Sequence, residues 1–376
     1  MNFFSNKDQS SHKNIKITNC DSKNEAVSLA TSKLQQLIDD KVTAGESILL
    51  LLSGGSAWAL LEKLSTDKFS DRITIGVLDE RYSNDEKINN FSQLAQSNFY
   101  KNTKTAGANF VDTRVVEGES QSDLAVRFES ALKKWRTENP DGKIIITQGI
   151  GVDGHTSGIM PFPENPAHFK ELFDSENKWV VAYDATGKND NPLRVTTTLS
   201  FLRQVDESVL FVSGEDKKSA VARVFDSNES ISAVPARIIF EMKRVCGFVG
   251  DFWARIYGGM SIATIQSMKK LKFEPHLCEQ ILSGNKTSTW RLFDDKDLQV
   301  RDTLQLVNRE TLEIIGTATI TKLRIKALGT LTPEDWVGHE KYPNEEFMYA
   351  TYRKYYGDRV DENTEVKIIS FDFKAK

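Results

Sequence analysis

The stretch Gly149-Ile150-Gly151-Val152-Asp153-Gly154-His155-Thr156-Ser157 carries the plainest chemical signal in the chain. A histidine set among glycines is poorly explained by packing. An imidazole titrates near neutrality, so His155 can take a proton from water at cellular pH. Asp153, two residues earlier, can orient that ring or help position the water. Ser53-Gly54-Gly55-Ser56 is a second candidate. Glycines let a backbone approach a ligand closely, and a helix N-terminus beyond them offers N–H groups to an anion. A plain strand-to-helix turn explains the same four residues, and the GxGxxG of a dinucleotide site is absent there. Lys188 and Arg194 flank Pro192 in a polar stretch that reads as a loop. Cations in such a loop are ordinarily just solvated. With Arg81 and the SGGS turn they can converge on a phosphate, whose oxygens a guanidinium fork binds in pairs.

These residues need elements to position them. Ala26, Val27, Ala30, Leu34, Leu37 and Ile38 have helical spacing, which predicts a helix over about 23–40. Ile48–Leu52 is a continuous apolar run, as expected of a strand buried on both faces, and Ile73–Leu78 predicts another buried strand. Helical spacing follows through Trp58, Leu60, Leu61 and Leu64, and again over 122–137. Ile144–Ile146 and Val209–Val212 predict two more buried strands. The alternation predicts an α/β domain with a mostly parallel sheet and flanking helices. SGGS, Asp79-Glu80-Arg81, GIGVDGH and SGEDKK each follow a predicted strand, and the ligand crevice of an open α/β sheet lies outside the carboxyl ends of its strands.

The 376 residues suit two domains rather than one. A net charge of -4 argues against tight non-specific binding to nucleic acid or to an anionic membrane. Cys20, Cys246 and Cys278 form no CxxC pair, so neither a zinc site nor a disulfide framework is expected, and a reducing cytoplasm fits. The polar residues 1–14 are expected to be a disordered tail without the apolar run of a signal peptide. No apolar run is long enough to span a membrane. The pattern breaks at Gly258-Gly259, which sets a linker at 258–268 between domains at 15–257 and 269–376.

The first domain resembles the 6-phosphogluconolactonase and glucosamine-6-phosphate deaminase superfamily. The matching motifs are LSGGS at Leu52–Ser56, LDER at Leu78–Arg81, GIGVDGHTSGIMP at Gly149–Pro161, and Lys188 with Arg194 ahead of Val195-Thr196. Deaminases usually carry a glutamate five residues after the motif histidine, where this chain has Met160, and tend to carry Tyr at the place of Arg81. The lactonase form is therefore favoured. The resemblance implies hydrolysis of 6-phosphogluconolactone, a pentose phosphate pathway step, with no metal or cofactor. His155 would be the base, aided by Asp153, while the SGGS turn, Asp79, Arg81, Lys188 and Arg194 hold the phosphate and sugar hydroxyls. The sequence departs from the family at Ala57-Trp58, where Thr-Pro is usual. After Arg81 it lacks Val-Pro and reaches Asn90 one residue early, with Asn89 where Ser is expected. These departures keep open a deaminase and a non-catalytic sugar-phosphate sensor.

Beyond 268 the rhythm changes. A short helix through Leu277, Cys278, Ile281 and Leu282 stops at Gly284. Strands are expected at Thr303–Val307, Ile314–Ile320 and Val366–Phe373, with a helix over 344–356, which reads as a small α+β or barrel domain. Lys286 and Thr289 are three apart, so they face one pocket only if a turn carries them. This domain resembles an ASCH domain, a PUA-like β-barrel, through Gly284-Asn285-Lys286-Thr287-Ser288-Thr289-Trp290-Arg291, Asp302, the Gly338–Pro343 stretch and Tyr355-Tyr356-Gly357. The resemblance implies binding of RNA or a nucleoside, or hydrolysis of N(4)-acetylcytidine, with Lys286, Thr289, Arg291 and Glu340 as the site. His339 is read as structural.

Overall fold

The computed structural model describes residues 14–226, 229–250, 268–293 and 296–375. The chain divides into two compact units, Met1–Ala254 and Arg255–Lys376. The tail expected at 1–14 and the linker expected at 258–268 lie outside the described residues, Asn14 and Met268 apart.

In the first unit β1 (Ile15–Asn19) leads into α1 (Lys23–Thr43), which starts where the Ser22 side chain accepts from the Glu25 N–H. The all-apolar β2 (Ile48–Leu52) is buried throughout. There follow α2 (Trp58–Leu61), β3 (Ile73–Val77), β4 (Asp79–Arg81), α3 (Asn90–Gln96), α4 (Asn98–Thr105) and β5 (Asn109–Phe110). A capping box of Ser120 and Asp123 opens α5 (Gln121–Glu138). Then come β6 (Lys143–Gln148), α6 (Pro166–Phe173), β7 (Val180–Asp184), β8 (Leu193–Thr197), α7 (Leu199–Leu202), β9 (Glu207–Val212), α8 (Lys218–Val224) and β10 (Val245–Val249).

Seven strands form one parallel sheet in the order β1-β10-β9-β6-β2-β3-β5. Parallel sheets are covered on both faces, which is why β2 is apolar throughout and β6 and β9 carry the apolar runs Ile144–Ile146 and Val209–Val212. The core joins one face of α1 (Ala26, Ala30, Leu34, Ile38) to Leu50, Ile75, Ile145 and Phe211. A separate antiparallel sheet, β4-β8-β7, is not evident from the sequence. Two expectations change. The helix after SGGS stops at Leu61, and Leu64 is buried beyond its end. The segment holding Lys188 and Arg194 is a loop only up to Pro192, because Arg194 belongs to β8 and is buried.

The second unit has β11 (Lys269–Phe273), α9 (Pro275–Leu282), β12 (Ser288–Leu292), β13 (Thr303–Asn308), β14 (Ile314–Ala327), α10 (Glu345–Tyr356) and β15 (Glu365–Ala375). The strands form one sheet in the order β11-β13-β14-β15-β12. Only β11 and β13 pair in parallel, and β14–β15 is bulged at Ile320/Lys322. This arrangement is compatible with a small barrel. Strand β11 replaces what read as connecting chain at Lys269-Lys270. Among the described residues no helix is long and apolar enough to cross a membrane.

Candidate active site

Strands β2 and β6 are neighbours, with Leu51 beside Ile146. From β2 the chain continues to β3 on one side, and from β6 it reaches β9 on the other. This reversal of strand order opens a crevice at the carboxyl ends. Ser53–Ser56 leaves β2 there and Gly149–Ser157 leaves β6. The Ser53 N–H donates to Thr147 Oγ1 at 2.9 Å, which ties the turn to β6. Gly55 has φ +65 and open space around its missing side chain. Helix α2 beyond the turn has only four residues. Its dipole is therefore small, and what the turn offers an anion is its own N–H groups.

His155 Nδ1 lies 2.6 Å from Asp153 Oδ1, which also accepts the His155 backbone N–H at 3.0 Å. A carboxylate can only accept here, so Nδ1 carries a proton, and Nε2 holds the lone pair whenever the ring is neutral. Burial works against the Asp153 carboxylate, but the hydrogen bond and charge of His155 hold its pKa below the ordinary value. Both side chains remain about one third exposed, so water reaches them. A side chain at Gly151 would collide with the imidazole, which explains the glycine. The Gly151 N–H donates to His155 O at 2.8 Å, and Thr156 Oγ1 donates to Gly149 O at 2.7 Å, closing the loop. Ser157 is held at φ +50, and its buried hydroxyl has no hydrogen-bond partner.

In the β4–β8 pair Asp79 stands opposite Thr196 and Arg81 opposite Arg194. Directly opposite residues share a face, so Asp79, Arg81, Arg194 and Thr196 lie together. Arg194 Nη2 is ion-paired with Asp79 Oδ2, and both groups are buried. The Nε atoms of Arg81 and Arg194 are buried without a hydrogen-bond partner. Glu80 faces the other way and is fully buried. Its carboxylate accepts from the N–H groups of Arg81, Asn90 and Phe91 and from the Thr113 hydroxyl. Burial pushes its pKa up to about 7 against those four bonds.

Three motifs meet at Asp79. Thr196 Oγ1 donates to Ser157 O, and the Gly158 α-carbon packs on the carboxylate, where a Cβ would stand 2.7 Å from Oδ2. On the other side Asn90 Nδ2 donates to Asp79 O at 2.9 Å, and Asn90 lies against Gly54 of the turn. Lys188 is placed differently. Its Nζ pairs with Glu164 Oε1 at 2.6 Å and sits 4.3 Å from the centre of the Phe162 ring, and none of its described bonds reaches Arg81 or Arg194. Sequence reasoning missed Glu80, Ser157 and Glu164; Glu80 adjoins a motif residue, but only the fold reveals its burial.

The profile of the glucosamine-6-phosphate isomerases/6-phosphogluconolactonase family matches residues 21–246. The chain belongs to this family. A probable 6-phosphogluconolactonase of Dictyostelium discoideum is 24% identical over 213 residues, covering 55% of this chain and 85% of that protein. The 6-phosphogluconolactonase of Xylella fastidiosa is 24% identical over 222 residues, 58% of this chain and 88% of its own. A crystal structure of a 6-phosphogluconolactonase from Shewanella baltica shares the fold, with a TM-score of 0.54 and 21% identity over 64% of this chain and 99% of that one. Met160 stands five residues after His155. That side chain is buried in the core, and its backbone N–H donates to the Tyr183 hydroxyl at 3.3 Å. No carboxylate stands there.

The family match lies within the first unit. In the second, Lys286 is buried and ion-paired with Glu340. Lys286 follows the Gly284 turn, Thr289 is the second residue of β12, and both are buried. The N–H groups of Thr287 and Ser288 both donate to Gly338 O at 2.9 Å, which pins this segment beside Glu340. Tyr342 donates to Glu340 Oε1 at 3.2 Å. Burial lowers the Lys286 pKa, while Glu340 works to raise it. His339 stacks on Trp290 at 4.0 Å, and burial drops its pKa to about 3, so it is neutral. The Arg291 guanidinium lies 4.9 Å from the Phe273 ring centre and donates to Trp290 O at 3.0 Å; among the described residues it makes no bond to Lys286 or Glu340.

Proposed function

We propose that the first unit hydrolyses 6-phosphogluconolactone to 6-phosphogluconate. The observation that carries this reading is the His155–Asp153 pair, partly open to water, at the strand-order reversal beside the SGGS turn. Asp153 holds the ring through Nδ1, which leaves the Nε2 lone pair of the neutral imidazole for the water. Nε2 takes a proton from water as the water oxygen bonds to the lactone carbonyl carbon. The tetrahedral oxyanion then collapses, the bond from that carbon to the ring oxygen breaks, and the ring oxygen recovers the proton from the imidazolium. Arg81 and the backbone N–H groups of the turn take the phosphate, joined by Lys188 once it leaves Glu164. Asp79 and Arg194 neutralise each other and form the floor on which the three motifs rest.

A pH-stat assay with freshly made lactone tests the reading. His155→Ala should lower kcat by about 10²–10⁴-fold, the usual contribution of a positioned base. Hydrolysis at the wild-type rate by that variant would dismiss the mechanism. Ammonia release from glucosamine 6-phosphate would instead favour the deaminase, against which Met160 speaks. Tight 6-phosphogluconate binding without turnover would favour a sensor.

For the second unit we propose an ASCH-like site that binds a nucleoside or RNA, and in its catalytic form cleaves N(4)-acetylcytidine. The buried Lys286–Glu340 pair supports it. A desolvated lysine with a lowered pKa can activate a threonine hydroxyl, and Thr289 is the candidate. Acetate release from N(4)-acetylcytidine, abolished in Lys286→Met and Thr289→Val, is the expected result. Binding of cytidine without acetate release would leave a recognition module.

A further inference from the structure

We infer that Asn90 reads a hydroxyl of the sugar ring, as an acceptor facing Gly54, and so sets which lactones the site accepts. The inference rests on the sugar-phosphate reading of this site and adds a specificity residue to it.

Asn90 is 2% exposed. Its orientation is determined chemically: Nδ2 donates to Asp79 O at 2.9 Å, and a carbonyl oxygen can only accept. The backbone N–H of Asn90 is spent on Glu80 Oε1. The other end of the amide, Oδ1, is therefore an acceptor, and it is buried with no hydrogen-bond partner. It points at the turn, since a Cβ added to Gly54 would stand 3.0 Å from it. A side chain at Gly54 would crowd that oxygen.

A buried carbonyl oxygen without a partner is costly, so it marks a place that a donor fills. A phosphate oxygen ionised at neutral pH is itself an acceptor and would be repelled there. A sugar hydroxyl is a donor and fits. The Gly54 end of the turn thus meets the ring, which leaves the exposed Gly55–Ser56 end and Arg81 for the phosphate. Sites that hydrogen-bond a substrate hydroxyl reject analogues that lack it far more strongly than apolar pockets reject shape changes.

The test uses 6-phosphogluconolactone and its 2-, 3- and 4-deoxy counterparts, each made in situ by oxidising the sugar phosphate. Values of kcat/KM are compared for wild type, Asn90→Leu, Asn90→Asp and Gly54→Ala. Wild type should lose about 10–100-fold on one deoxy lactone, as expected when a buried acceptor is left unpaired. Asn90→Leu and Gly54→Ala should lose that discrimination, the first by removing the acceptor and the second by covering it. Asn90→Asp keeps an acceptor and should retain it, whatever its added charge does to KM. Equal discrimination in all four proteins overturns the inference. So does its loss in both Asn90→Leu and Asn90→Asp, which would trace the effect to the bond with Asp79. If wild type hydrolyses none of the lactones, the lactonase reading fails separately. The same proteins are then titrated calorimetrically with 6-phosphogluconate and its deoxy analogues: the same pattern in Kd sustains the role of Asn90, and its absence removes it.

Discussion

Arg81 and Arg194 stand directly opposite each other across the β4–β8 pair, yet Arg194 is ion-paired with Asp79 while Arg81 makes no ion pair among the described residues. Like charges placed opposite each other on a sheet are destabilising. Asp79 removes that cost by neutralising one of them. The charge left over on this face belongs to Arg81, which makes it the natural grip for an anion. The two arginines should therefore fail differently. Arg81→Gln should raise KM for the lactone at least tenfold and leave the melting temperature nearly unchanged. Arg194→Met leaves Asp79 buried and unpaired, a change that costs about 3–5 kcal/mol, so its main effect should be a lowered melting temperature. Scanning calorimetry alongside initial rates separates the two; similar profiles for both variants would contradict the assignment.

Lys188 was expected to hold phosphate, and its Nζ is occupied by Glu164 at 2.6 Å. Glu164 is well exposed, so the pair is weak and easily exchanged for a phosphate. Glu164→Gln should free the lysine and lower KM by about two- to fivefold at low salt, the range set by an exposed pair. The gain should vanish near 1 M salt, where exposed charges are screened. Lys188→Met should raise KM and remove any effect of changing Glu164. Measured as a double-mutant cycle, additive effects of the two changes would show that the pair is irrelevant to binding.

How much of this was legible in the sequence follows from distance along the chain. Strands β2 and β3 were readable because a strand covered on both faces needs an unbroken apolar run, and Ile48–Leu52 is one. The histidine loop was readable because its glycines mark tight backbone: a Cβ at Gly151 would strike the imidazole, and Gly154 has φ +91 and packs against Val234. Strand β4 was not: three residues, all charged, show neither an apolar run nor an alternation. Arg194 looked like a solvated loop cation because its partner, Asp79, lies 115 residues away. Strand β12 also escaped notice, since Ser288 and Thr289 are buried polar residues that no hydrophobic pattern marks. Asn90 was visible only as a departure in spacing, and its orphaned oxygen exists only once Gly54 and Asp79 are brought beside it.

Asp153 is proposed to act through His155 rather than on substrate. Asp153→Asn keeps the shape but can present an amide N–H to Nδ1, which favours the wrong tautomer. The expected result is a fall in kcat of at least tenfold with KM little changed, because Asp153 has no assigned contact to the phosphate. Asp153→Glu should recover part of the loss if the longer carboxylate still reaches Nδ1. A KM effect as large as the kcat effect would mean that the loop has moved.

Between pH 7.5 and 5, above the range in which the carboxylates with lowered pKa values titrate, the surroundings of Glu80 and of His339 should respond to acid in opposite directions. Glu80 has its pKa raised from 4.5 to about 7. The folded first unit therefore binds this proton more tightly than the unfolded chain. The stabilisation is fully present below pH 4.5 and is lost as pH rises through 7. In the second unit the signs reverse. His339 has its pKa lowered from 6.5 to about 3, and Asp335, ion-paired with Arg324 and Lys326, from 3.8 to about 2. There the unfolded chain binds protons more readily, so stability is present above pH 6.5 and falls as pH drops toward 3, with Asp335 adding to the loss below pH 4. Hydrogen exchange measured between pH 7.5 and 5 should show protection around Phe91 holding or rising while protection around Trp290 falls. His339→Phe should flatten the second trend by removing the titrating ring and keeping an aromatic against Trp290. If Trp290 stays equally protected across that range in wild type, His339 is not the neutral, buried imidazole described here.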